Sequence, residues 1–308
     1  MKAVQIENYG DNSKLKHVEI SLPRPKANQV LVELKASAVN PVDFKIRSGG
    51  MAAQLPKQFP FTLGWEGAGI VTEKGDQVTA FEIGDEVMVM ANFMEGGTYA
   101  EQIVVQEKEV FLKPKSLSFL QAATLPFSLG TAYTSLLRDA NVEKGQRILI
   151  HGAGGAVGRM AVQIGKIKGL YVIGTAKGKN IQDLYDLGID EVIDYTHTDF
   201  AQVLKELDVV LDLVGGANLS KSYEVIKKGG TLITTTQPPS PAALSKYEIA
   251  GKMTFTRPDP TIFEEIATWI DNGAIQFQAP EVFDLSEAQK ALEWVENRTA
   301  RSKVVFKF

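Results

Sequence analysis

The chain has 308 residues, 44% hydrophobic and 23% charged, with a net charge of −4. That length exceeds the usual size of one domain, so two are expected. The acidic balance excludes a general nucleic-acid binder, which would show a basic face, and zero cysteine excludes disulfides, thiolate nucleophiles and cysteine-ligated zinc or iron–sulfur sites.

No uncharged apolar run approaches the roughly 18–20 residues that span a bilayer. The N-terminal MKAVQIENYG lacks the apolar core of a signal peptide, so the cytoplasm is the expected compartment. The three histidines, His17, His151 and His197, read as solvent or turn residues, and no metal is expected.

Residues 1 to about 115 predict short strands punctuated by turns. Lys2 to Ile6 and Val30 to Leu34 alternate, Gly84-Asp85-Glu86-Val87 feeds a strand, and Gly97-Thr98-Tyr99-Ala100 precedes Ile103-Val104-Val105. This texture suits a small barrel, with Glu33 and Lys35 on a half-exposed face. Beyond a helix through Tyr133, strands and helices alternate. The predicted order is strand Arg147–His151, helix Val157–Lys168, strand Leu170–Thr175, helix Asn180–Leu187 and strand Glu191–Asp194. Strand Asp208–Val214, helix Leu219–Lys227 and strand Gly230–Thr235 follow. Such βα units predict a doubly wound parallel sheet. Pro238-Pro239-Ser240-Pro241 reads as a rigid break in a surface loop. The tail predicts helices at Thr261–Asn272 and Ala288–Glu296, and a last strand, Lys303–Phe308, able to return to the N-terminal sheet.

Between the first βα pair the sequence reads Arg147-Ile148-Leu149-Ile150-His151-Gly152-Ala153-Gly154-Gly155-Ala156-Val157-Gly158. Strand, glycine turn and helix present free N–H groups, at the positive end of a helix dipole, to a phosphate. Val157 stands where the third glycine of a G-x-G-x-x-G would fall, and the spacing fits small-x-x-G-x-x-G through Gly152, Gly155 and Gly158. In dinucleotide-binding sheets an acid about 20 residues further on receives the ribose hydroxyls. Here the second strand ends Gly174-Thr175-Ala176-Lys177-Gly178-Lys179, with two lysines and no acid. A carboxylate would repel a 2′-phosphate and lysine attracts one, which favours NADPH over NADH. Solvated surface lysines are the plain alternative.

Several separated stretches then match one family: Asn40-Pro41-Val42-Asp43-Phe44-Lys45-Ile46-Arg47-Ser48-Gly49, Gly64-Trp65-Glu66-Gly67-Ala68-Gly69, Gly84-Asp85-Glu86-Val87 and Gly97-Thr98-Tyr99-Ala100-Glu101. Leu125-Pro126 with Thr131-Ala132-Tyr133, the glycine turn, Val192-Ile193-Asp194-Tyr195, Asp212-Leu213-Val214-Gly215-Gly216 and Lys228-Gly229-Gly230 complete the series. Over essentially its whole length the chain resembles the zinc-free quinone oxidoreductases of the medium-chain dehydrogenase/reductase superfamily. The resemblance implies a GroES-like β-rich catalytic domain over 1–122, completed by 270–308, and a Rossmann NADPH-binding domain over 123–269. It also implies a homodimer. In zinc-dependent relatives a cysteine and a histidine hold the catalytic metal; those positions are Asn40 and Trp65 here, and neither side chain replaces a thiolate or an imidazole.

The resemblance supplies the candidate residues. Asn40, Asp43 and Lys45 are the catalytic candidates, with Asn40 beside the nicotinamide or substrate carbonyl; local stabilisation of an Asn-Pro-x-Asp turn is the other reading. Lys45 and Arg47 meet the cofactor, line the pocket rim, or are merely exposed. The cofactor candidates are Gly152, Gly154, Gly155, Ala156, Val157 and Gly158 in the turn, Thr175, Lys177 and Lys179 after it, and Tyr195 and Thr131. Lys179 aligns better than Lys177. Packing for Tyr195 and helix capping for Thr131 are the structural alternatives. Arg301 and Lys303 match a family Arg-Gly-Lys element near the cofactor, with Ser302 in place of its glycine. The activity so implied is zinc-independent, NADPH-dependent hydride transfer to a quinone or an α,β-unsaturated carbonyl. An enoyl-thioester reductase of the same fold, and a non-catalytic NADPH-binding protein, are the alternatives.

Overall fold

In the computed structural model, which describes residues 1–92 and 94–308, the alternating N-terminal segments become antiparallel strands. The chain divides into one unit of Met1–Phe127, Pro258–Asp271 and Phe277–Phe308, and another of Ser128–Arg257 and Asn272–Gln276. The helix Pro260–Asp271, placed mostly in the second domain by the sequence boundaries, lies in the first unit. There Phe263 stacks on Phe111 with ring centroids 4.0 Å apart.

The first unit is organised on the strand Gln29–Val39. It pairs antiparallel with Glu66–Lys74, Gln102–Gln106 and Val304–Lys307. The last strand therefore does return to the N-terminal sheet. The sheet runs as an open path from Glu281–Asp284 to Val110–Leu112, with Gln102–Gln106 off that path. Alternation explains its faces: Val30, Val32 and Leu34 are buried, while Glu33 and Lys35 are partly exposed and pair with each other. A smaller sheet joins Leu15–Glu19, Lys2–Ile6 and Phe61–Thr62. Ile6, Leu63, Trp65, Tyr99 and Phe306 belong to its adjoining apolar core.

The second unit holds a six-stranded parallel sheet. Its order is Glu191–Asp194, Tyr171–Ala176, Arg147–His151, Leu207–Asp212, Ile226–Thr234 and Ala250–Met253. The order reverses beside Arg147–His151, the topological switch point where open α/β sheets bind ligands. Continuous burial of Ile148, Leu149, Ile150, Val209, Val210 and Leu211 reflects helices on both faces.

Three expectations are corrected or extended here. The helix expected over Leu219–Lys227 is Ala217–Ser222, and Ile226 already begins the next strand. Val225 and Ile226 are buried and Ile226 pairs with Leu207, so tertiary packing overrides the helical pattern there. The proline run is an irregular surface stretch through Ser240, as expected, and its last residue adds a helix start. Ser240 accepts from the Ala243 N–H, and Pro241 opens the helix Pro241–Tyr247 at a position where its missing N–H costs nothing. The strand Ala250–Met253 was not anticipated, since Gly251 and Lys252 give it little β character of its own. Among the described residues no helix is long and apolar enough to cross a membrane.

Candidate functional site

The glycine turn is built by close backbone approach. Gly152 takes φ +73°, a left-handed conformation natural to glycine. A Cβ on Gly158 would stand 2.3 Å from the Gly152 carbonyl oxygen and 2.6 Å from Ala153 Cα, so this first helical turn must be bare. The helix Ala156–Ile167 follows, and its N-cap Gly155 brings no side-chain acceptor to the free N–H groups. Gly158→Ala should therefore lower stability by about 1–3 kcal/mol through overpacking and raise the dissociation constant of a nicotinamide dinucleotide; denaturant melts and fluorescence titration read both.

The floor of this turn is a buried polar network. Thr175 Oγ1 lies 3.2 Å from His151 Nδ1 and 3.4 Å from the Gly152 nitrogen that donates to it. His151 Nε2 lies 3.2 Å from Ser222 Oγ. His151 is not the solvent or turn histidine expected: it is fully buried, and burial pushes its pKa down to about 4 against the nearby Asp212 charge. Asp212 Oδ1 accepts from the N–H groups of Val214 and Gly215, shaping the loop after the fourth strand.

Beside the turn, Lys177, Gly178, Lys179, Asn180, Asp194, Thr196 and His197 line an open groove of about 490 Å³. Asn180 packs against Gly154, joining groove to turn. Lys177 and Lys179 are exposed. Asp194 is the acid here, and its own turn occupies it. It accepts from Thr196 Oγ1 at 2.6 Å and Thr196 N–H at 3.0 Å, bonds that hold its carboxyl below the usual range. The groove thus offers ammonium groups to an anion while its carboxylate is already solvated by protein. Tyr195 is 53% exposed and lies outside the core. Thr131 is buried, and its hydroxyl accepts from Thr256 Oγ1 at 2.6 Å.

In the first unit the Asn-Pro-x-Asp segment is the start of the helix Pro41–Arg47, not an isolated turn. Asp43 Oδ2 accepts from the Asn40 N–H at 2.5 Å and from the Tyr99 hydroxyl at 2.9 Å. Asp43 is fully buried and, among the described residues, its Oδ1 has no hydrogen-bond partner; burial pushes its pKa up to about 7. The Asn40 side chain does not cap the helix. Its Nδ2 donates to Glu66 Oε1 at 2.9 Å, and its Oδ1 accepts from Lys303 Nζ. Lys303 pairs with the same Glu66 oxygen at 2.7 Å, and Glu66 Oε2 accepts from the Phe127 N–H at 2.7 Å.

Lys45 is exposed on this helix. Arg47 is neither rim nor surface: it is 2% exposed, donates to the Gly10 carbonyl at 3.0 Å and pairs with Glu296 at 2.8 Å. Arg301 is exposed, and its backbone N–H donates to Glu281. Glu66, Tyr99, Asn180, Thr196 and His197 were not among the expected site residues. Glu66 alone carried a signal, as a charged residue immediately before the apolar, glycine-rich run Gly67-Ala68-Gly69-Ile70-Val71.

These residues fit a dinucleotide and do not fit zinc. The bare Gly155 N-terminus and the open groove suit phosphates. Asn40 and Trp65 offer no zinc ligands: the amide is engaged at both ends and the indole is buried in the apolar core. Among the described residues no group of three or more histidine, cysteine or acidic side chains could hold a metal ion.

Residues 26–115 match the alcohol dehydrogenase GroES-like domain family, and residues 187–306 match a family described as zinc-binding dehydrogenase. The chain is 32% identical to 2-methylene-furan-3-one reductase of Solanum lycopersicum, over 99% of this chain and 78% of that protein. The quinone oxidoreductase structure of Coxiella burnetii superposes with a TM-score of 0.93 and 32% identity, covering 100% of this chain and 99% of that one. The Escherichia coli quinone oxidoreductase complexed with NADPH gives a TM-score of 0.90 at 26% identity, with 100% of both chains covered.

Proposed function

The chain belongs to the zinc-free quinone oxidoreductases of the medium-chain dehydrogenase/reductase superfamily, and on that premise we propose that it reduces quinones or α,β-unsaturated carbonyls with NADPH. The observation that carries the cofactor choice is the groove in which Lys177 and Lys179 face solvent while Asp194 is bound within its own turn. When bound, NADPH supplies the hydride.

In this reading Gly152, Gly154, Gly155, Ala156, Val157 and Gly158 hold the pyrophosphate through backbone N–H groups, and Thr175 backs the turn. Lys177 and Lys179 take the 2′-phosphate, Tyr195 borders the adenosine, Thr131 meets the nicotinamide half, and Arg301 is a further cofactor-binding candidate. Asp43 fixes the Asn40 backbone, which holds the Asn40 amide at the substrate site, and Lys45 borders the substrate. The active form is a homodimer, in line with the family resemblance. The acceptor class is supported by the names of two similar proteins, one an oxidoreductase of quinones and one a reductase of a conjugated furanone.

Initial rates with NADPH and NADH, against a quinone, a short enone and a crotonyl thioester, test the reading. Lys179→Ala should raise KM for NADPH about tenfold, the scale of one charge-assisted hydrogen bond, and leave KM for NADH unchanged. Equal effects on the two cofactors would remove the 2′-phosphate assignment. A preference for the thioester would move the substrate class to enoyl-thioester reduction.

A further inference from the structure

Lys303 reaches its place from the far end of the chain. It immediately precedes the strand Val304–Lys307, whose Val304 pairs with Val39, and Asn40 follows Val39 directly. On the other side of that strand Ala38 pairs with Glu66. Three adjacent strand ends thus bring an ammonium, a primary amide and a carboxylate together.

Hydrogen-bond capacity shows what remains available. Glu66 is fully buried; its Oε1 serves both Lys303 and Asn40, and its Oε2 serves Phe127. Asn40 accepts from Lys303 and donates one of its two amide N–H groups to Glu66, so both ends of its amide are held in place. An ammonium has three N–H donors. Lys303 uses one on Glu66 and one on Asn40, and no acceptor for the third is found among the described residues. Its side chain is 12% exposed, so the charge is held close to protein yet reachable.

We propose that Lys303, rather than holding the cofactor, is the catalytic electrophile and proton donor of the reduction, its third N–H taking the carbonyl oxygen of the quinone or enone. The assignment rests on the hydride-transfer reading above. Hydride from the reduced nicotinamide forms a C–H bond at the electrophilic carbon of the acceptor. The π bond breaks and its electron pair moves to the carbonyl oxygen. One N–H bond of Lys303 breaks as an O–H bond forms, giving an enol; with a quinone, the carbon that took the hydride then loses a proton to solvent as the second oxygen gains one, giving the hydroquinone. The resulting amine regains a proton from solvent. A fixed cation beside the developing oxyanion does here what a Lewis-acidic metal does elsewhere. Glu66 and Asn40 act as positioning residues that fix the ammonium.

The test uses the full chain with two variants, Lys303→Arg and the double variant Lys303→Met/Glu66→Gln. The double variant removes both charges together, so no buried carboxylate is left alone. Turnover of a quinone or enone is measured beside the NADPH dissociation constant, read by fluorescence without acceptor. The double variant should lose at least about 100-fold in kcat while its dissociation constant stays within about twofold. Lys303→Arg, which keeps the cation without an acidic proton, should keep more activity than the double variant and less than the wild type. The assignment is overturned if the double variant keeps kcat within about threefold, or if NADPH affinity falls in step with kcat. If the double variant does not fold, Lys303→Arg decides, and wild-type kcat in it overturns the assignment. Absence of turnover in the wild-type chain sinks the hydride-transfer reading itself, whereas full turnover in the variants sinks only the role of Lys303.

Discussion

Lys303→Met alone should destabilise the fold by about 3–5 kcal/mol, the cost of leaving one member of a buried ion pair without its partner. Glu66 has no exposed surface, so in the folded chain its carboxylate depends on protein groups rather than on water. The hydrogen bonds from Asn40 and Phe127 remain, which places the loss toward the lower end of that range. Adding Glu66→Gln should recover part of it, because no buried charge remains, while the single amide oxygen replaces only one of the two carboxylate oxygens that accept from Asn40 and Phe127. Urea unfolding of the wild type, the single variant and the double variant gives the comparison. A loss below about 1 kcal/mol, typical of exposed pairs, would mean that water reaches Glu66 and that the pair is not a buried one.

Asp43 should make the protein less stable as pH rises from about 4 to about 7. Burial raises its pKa from the usual 3.8 to about 7, despite bonds from Asn40 and Tyr99 that favour the anion. Between those values the folded chain keeps a proton that the unfolded chain releases, so raising the pH favours unfolding. Above about 7 both states are ionised and the slope vanishes. The full shift corresponds to about 4 kcal/mol, on the order of a large share of a domain's stability. Asp43→Asn cannot ionise and should flatten this part of the profile. Its amide oxygen can still accept from Asn40 and Tyr99. Tm measured across pH 4.5 to 8 for both proteins tests it, and parallel curves would show that Asp43 is ionised throughout.

The parts of this molecule that could be read along the chain are those whose causes are local. Arg147–His151 and Glu191–Asp194 are strands with the expected limits, because short apolar runs bounded by turn residues decide them. The helix after the glycine turn begins one residue before Val157 for the same reason. The lysine groove was legible as a missing acid at one strand end. The Asn40–Glu66–Lys303 cluster was not, because Asn40 and Lys303 are 263 positions apart and only strand register joins them. Arg47 misled for a related reason. Its charge suggests a surface, while its burial depends on Glu296 at the other end of the sequence. Asp43 and Tyr99 show the same limit, since nothing near Asp43 announces a carboxyl enclosed on every side.

The pairing of Val304–Lys307 with Gln29–Val39 also fixes an order of events during synthesis. The second unit draws most of its residues from one uninterrupted stretch, Ser128–Arg257, and can fold as soon as that stretch has left the ribosome. The first unit must wait, with the strand Gln29–Val39 missing a neighbour until residues 304–307 emerge. Asn40 and Glu66 are therefore present long before the cation that joins them. A nascent chain can acquire its nucleotide fold early, but it gains the charge proposed to drive reduction only with one of its last segments. Ribosome-bound chains arrested before residue 303 would hold Asn40 and Glu66 without the ammonium that joins them.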